Sequence, residues 1–143
     1  MPAPRMIRTV SAVILDPQER VLLVRKRGSE IYIQPGGKPD AGEAPLDTLE
    51  RELREELDVT MDRAQALCLG RFEDEAVHEP DARVRTESWL VQVQGEPRAS
   101  AEIEALRWVE PQTAGEDPTI APLSRRHILP ALCRHLASEP DAR

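Results

Sequence analysis

The chain has 143 residues, 40% hydrophobic and 31% charged, the balance of a globular domain with one core. Its net charge of −7 repels a phosphate backbone or an anionic membrane, so neither a nucleic-acid polymer nor a membrane is an expected partner. One Tyr, one Phe and two Trp are too few for the stacking platform of a single-strand binder. Cys68 and Cys133 lie far apart and form no C-x-x-C pair, which leaves zinc and thiol–disulfide chemistry without support. There is no run of about 18 apolar residues and no signal-peptide core, and the expected location is the cytoplasm.

Residues 1–5 read as a frayed end. The β-branched, apolar run from Thr9 to Leu15 predicts a buried strand over 8–15. Asp16-Pro17-Gln18-Glu19 is a turn, and Val21–Val24 returns as a second strand. Ile31-Tyr32-Ile33 is a short strand that stops at Pro35-Gly36-Gly37. A helix begins near Pro45, where the missing N–H costs nothing, and Leu46, Leu49, Leu53 and Leu57 form its apolar stripe. Further strands are expected at 67–77, 84–93 and 103–109, with a connecting loop at 111–122. A second helix is expected over 119–137, with Pro130 as its kink or start, and 138–143 is the other frayed end. Strands mixed with two helices predict an α/β domain in the α+β sense, a single unit over 1–143 with its core at about 6–137.

The chemistry concentrates between Gly36 and Val59. Glu52, Glu55 and Glu56 span an arc of roughly 100° on the predicted helix, beside the leucine stripe. Like charges at these spacings repel, by a few tenths of a kcal/mol per pair. Clustered carboxylates suit a hard divalent cation such as Mg²⁺ or Mn²⁺. A merely solvated charged face has the same spacing, and Arg51 and Arg54 offer it local ion pairs.

The residues around the helix separate these readings. Gly37 is followed after five residues by Glu43, and after seven more by Arg51-Glu52-Leu53-Arg54-Glu55-Glu56-Leu57-Asp58-Val59. This resembles the box of the Nudix hydrolases, MutT-like enzymes: G-x5-E-x7-R-E-U-x-E-E-x-G-U, with U a bulky aliphatic residue. Every fixed position matches except Asp58, where the family has glycine. The resemblance implies a Nudix-type α/β/α sandwich with a mixed sheet, the box forming a loop–helix–loop. It implies that Glu52, Glu55, Glu56 and the Gly37 carbonyl hold Mg²⁺, with Mn²⁺ as a substitute. Arg51 would orient a glutamate, and Glu43 would brace the loop. Glu52 is the first candidate for general base. Glu102, ahead of the strand Ile103–Val109, is the second, and Glu104 is its less favoured substitute.

Arg25, Lys26 and Arg27 close the second strand and are candidate phosphate ligands, Arg25 and Arg27 first because of the planar guanidinium fork. A solvated basic turn is the alternative. The resemblance thus implies a Mg²⁺-dependent hydrolase that cleaves a phosphoanhydride bond in a nucleoside diphosphate linked to another group. The competing class is a non-catalytic nucleotide-binding or sensor domain on the same fold, which would be expected to lose metal-binding glutamates. The expected partner is a small nucleotide, and a homodimer is common among relatives. Nothing in the sequence names the particular nucleotide, and an aromatic base sandwich would need Tyr32, Phe72 or Trp89.

Overall fold

The computed structural model of the chain describes residues 3–138. The elements are β1 (Arg5–Ile14), β2 (Val21–Lys26), β3 (Tyr32–Ile33), β4 (Gly36–Gly37), α1 (Pro45–Leu57), β5 (Thr60–Glu75), β6 (Ala82–Gln94), β7 (Ile103–Val109) and α2 (Leu129–Ser138). They form a four-stranded sheet, β4-β1-β6-β5, and a three-stranded sheet, β3-β2-β7. β1 and β6 are parallel and the other pairs antiparallel, so the strands are mixed as expected.

The apolar runs of β1 and β2 have no polar face because both of their faces are covered. Val10, Ala12 and Ile14 of β1, with Leu22 and Val24 of β2, pack against Leu49, Leu53 and Leu57 of α1. Val13, Val21 and Leu23 point the other way, into a second cluster with Leu129 and Leu132 of α2. Strand alternation thus builds two hydrophobic layers between two helices, an α/β/α sandwich. No helix among the described residues is long and apolar enough to cross a membrane.

The differences from expectation have local causes. The first frayed end is shorter than predicted, since Arg5 already pairs with Ala82 in β1. Residues 1–2 and 139–143 lie outside the described residues. β5 starts at Thr60 rather than at 67, because its first residues are held by pairing with β6 although Asp62-Arg63-Ala64 lacks a strand pattern. Irregularities at Asp62–Leu67 and Cys68–Gly70 absorb the mismatch. Residues 119–121 are not helical: Ile120 bridges Tyr32 like a strand residue. A π-helical turn, Ser124–Ile128, then leads into α2. Leu129 N–H reaches back to the Ser124 carbonyl, and Pro130 has no N–H to continue the normal ladder, which accounts for the widened turn.

Candidate active site

Gly36 and Gly37 bring the loop before α1 into contact with β1, pairing with Ser11 and Val10. Gly36 has no room for a side chain, and one on Gly37 would displace Glu52. A Cβ on Gly36, whose φ is +142°, would strike the Val10 carbonyl, and one on Gly37 would strike the Glu52 carboxylate. Close backbone approach is the reason for Gly36, and the seat of the Glu52 carboxylate is the reason for Gly37. The approach sets α1 beside β4, with Glu52 against Gly37 and Glu56 Oε1 accepting the Gly36 N–H at 3.2 Å.

Glu52 and Glu56 are therefore acids withdrawn from water. Burial raises Glu56 to about 8, against the pull of the Gly36 hydrogen bond and with added repulsion from Glu52 and Glu102. Burial also raises Glu52. Arg51 opposes that shift, and Glu55 and Glu102 reinforce it. Glu55 stands further out, its side chain 56% exposed and 3.9 Å from Arg51. Among the described residues, no three acidic, histidine or cysteine side chains are gathered into a ready-made cage.

Arg51 does orient a glutamate, and the one it grips is Glu43. Its Nε and Nη2 donate to the two Glu43 oxygens at 3.0 and 2.8 Å, and Nη2 also donates to the Lys38 carbonyl. The Glu43 carboxyl is pulled down to about 2, chiefly by this fork, with help from the Asp40 N–H and Thr48 Oγ1. The loop from Lys38 to Glu43 is thereby tied to the first half of α1. Arg51 Nη1 lies 3.5 Å from Glu52 as well.

A cavity of about 390 Å³ opens beside these groups and is lined by Gly37, Lys38, Glu52, Lys26 and Glu102 among others. The β2–β7 register pairs Lys26 with Ile103, and so places Glu102 Oε1 3.5 Å from Lys26 Nζ. Glu102 thus joins Glu52 at one cavity, whereas Glu104 does not. Neither of the predicted arginines lines this cavity. Arg25 donates to Glu104 and the Ser29 carbonyl, lies over the Tyr32 ring, and lines a different cleft with Arg107. Arg27 is exposed, and its backbone N–H bonds the Glu102 carbonyl. The cations at the cavity are Lys26, the middle one of the three basic residues that close the second strand, and Lys38, which sequence reasoning passed over. Period-two alternation from buried Val24 was the available signal, since it puts Lys26 on the α1 side and Arg25 on the other.

Asp58, the departure from the box, adopts φ 56° and ψ 42°, the left-handed conformation for which glycine is usual, and its N–H caps the Arg54 carbonyl. The fold, the braced loop and the paired carboxylates meet in one family. A family model described as the NUDIX domain matches residues 5–132, and the chain belongs to the Nudix family. Family and fold make it a hydrolase.

The E. coli ORF135 protein superposes with a TM-score of 0.75 at 27% identity, over 96% of each chain. A MutT NUDIX hydrolase from Burkholderia pseudomallei gives 0.63 at 26%, over 76% of this chain and 85% of that one. The MutT protein from Methanosarcina mazei Go1 gives 0.76 at 21%, over 95% and 99%, a likeness of fold alone. No curated protein sequence matches the chain.

Proposed function

We propose that the protein is a Mg²⁺-dependent hydrolase that cleaves a phosphoanhydride bond in a nucleoside diphosphate linked to another group. The observation that carries this reading is the pair Glu52 and Glu56, two carboxylates drawn out of water side by side against Gly36 and Gly37. Such a pair is repulsive by itself and is relieved by a cation. Mg²⁺ seldom takes an all-protein cage. It binds through one or two carboxylates, waters and substrate phosphate, which fits a wall of two inner carboxylates with Glu55 further out. Glu52, Glu55, Glu56 and the Gly37 carbonyl would hold the ion. Bound there, Mg²⁺ supplies polarisation of the phosphoryl group and a lowered pKa for coordinated water.

The chain's own residues divide the remaining work. Glu52 takes the proton of the attacking water as general base, with Glu102 across the cavity as the second candidate. Lys26 and Lys38 neutralise substrate phosphate, so that of the basic trio Arg25, Lys26 and Arg27 it is the lysine that takes the part. Arg51 and Glu43 keep the loop, and with it the Gly37 carbonyl, in position. The test is a panel of nucleoside triphosphates and nucleoside diphosphate conjugates incubated with Mg²⁺, with products identified by chromatography. Mg²⁺-dependent release of a nucleoside monophosphate is the expected result. Binding without turnover across the panel would favour a sensor domain instead.

A further inference from the structure

Glu102 and Glu104 are two residues apart, and side chains two apart on a regular strand share a face. The structure sends them to different places. Glu102 lines the cavity with Lys26 and Glu52, whereas Glu104 Oε1 accepts from Arg25 Nη1 at 2.9 Å. The cause lies in the pairing of β2 with β7. Val24 faces Leu106 and Arg25 faces Ala105, but Lys26 then faces Ile103, so Glu104 is passed over as the extra residue of a β-bulge.

In an unbroken register Lys26 would face Glu104 and Arg27 would face Ile103. The carboxylate beside Lys26 would then be Glu104. Ile103, 2% exposed and clustered with Val24 and Leu53, would leave the core. With the bulge in place Ile103 is buried and Glu102 stands in the turn before β7. There Ala101 has φ 54°, the Ile103 N–H donates to the Ser100 carbonyl at 3.0 Å, and the Arg27 N–H donates to the Glu102 carbonyl at 2.8 Å. Glu102 Oε1 comes within 3.5 Å of Lys26 Nζ. One extra residue thus selects which of two glutamates reaches the cavity.

A bulge leaves its extra residue outside the ladder, so a side chain has to hold it. Arg25 does so. Its Nη1 donates to Glu104 Oε1 and to the Ser29 carbonyl, each at 2.9 Å, and the guanidinium stands 5.9 Å from the centre of the Tyr32 ring. The bulged residue is thereby tied to β3 and to the turn after β2.

We propose that the Arg25–Glu104 pair is a positioning device for the reaction. It pins the bulge, and through the bulge keeps Glu102 rather than Glu104 at the cavity beside Lys26. Both residues act through Glu102 and not on the substrate. The assignment rests on the proposed function and extends its machinery to a pair outside the cavity.

The test is steady-state kinetics in Mg²⁺ of Arg25→Met and Glu104→Gln, each made in the wild-type chain and in Glu102→Gln. The two side chains are 25% and 47% exposed, so both variants should melt cooperatively near the wild-type Tm. Loss of such a pair should lower kcat/KM by about threefold to fivefold in the wild-type chain. It should cause no further loss once Glu102 is glutamine, because coupled residues are not additive. Undiminished kcat/KM in both variants would overturn the positioning role with hydrolysis intact. So would an equal loss in the Glu102→Gln chain, or a Glu102→Gln enzyme as active as wild type. If Arg25→Met does not fold, Glu104→Gln decides. Separately from activity, cross-strand NOEs in the wild type should pair Lys26 with Ile103, and pairing with Glu104 would overturn the bulge itself. A protein that hydrolyses nothing in the substrate panel would overturn this role and the proposed function together.

Discussion

Asp58 and Glu52 show how differently one residue can matter within the same box. Asp58 holds a left-handed conformation that costs a side chain about 1–2 kcal/mol, and its charge lies at a helix C-terminus where a cation is preferred. Asp58→Gly should therefore stabilise the fold by about 1 kcal/mol, read as a rise of about 2–4 °C in Tm, with turnover unchanged. A lower Tm would mean that the Asp side chain contributes more to the cap than its conformation costs. Glu52 has the opposite profile, because its carboxylate is held beside Gly37 at the cavity. Glu52→Gln keeps the shape and removes the base, so kcat should fall by at least about 10²-fold with little change in Tm. Turnover near wild type would transfer the role to Glu102.

The loop before α1 is tied to the helix by Arg51, which pairs with Glu43 and lies 3.4 Å from Asp40, and its pH response follows from Glu43. That carboxyl is depressed from an ordinary 4.5 to about 2, first by Arg51. A depressed acid contributes stability that is complete above its unfolded pKa and is lost as pH falls through the folded one. The difference in Tm between wild type and Glu43→Gln should be full at pH 6 and shrink between about pH 4.5 and 2. A difference that persists unchanged at pH 2 would assign it to packing. Among the elements, β1, β2, α1 and β7 were legible because their patterns are strong and local: apolar runs, a leucine stripe, a proline at the helix start. The first half of β5 and the stretch at 119–121 were not. The former is strand only through its partner β6, and Ile120 bridges Tyr32.

At the scale of the whole molecule, the proposed metal site makes thermal stability a test for the ion. An ion that binds the folded site and not the unfolded chain stabilises by mass action, about 2.7 kcal/mol at one hundred times its dissociation constant. Millimolar Mg²⁺ should raise Tm by several degrees in wild type and by much less in Glu52→Gln/Glu56→Gln, measured by scanning calorimetry. Equal shifts in both would place the ion elsewhere. The box residues Gly37, Glu43, Arg51, Glu52, Glu55 and Glu56 were readable from the sequence alone, because loop and helix are contiguous and their spacing is set by one helical turn. Which cation faces them was not. Arg25 and Lys26 are neighbours in the chain, and only the pairing of β2 between β3 and β7 turns one toward Tyr32 and the other toward Glu102. The same holds for Ser11, Thr86 and Gln34, which look unremarkable in sequence and meet at one cavity through long-range strand pairing. Sequence by itself determined the hydrolytic box and the apolar face of α1, since these depend on near neighbours. Tertiary structure decided which cations line the cavity and what forms its wall, since those depend on strand register and on which face of a sheet each side chain takes.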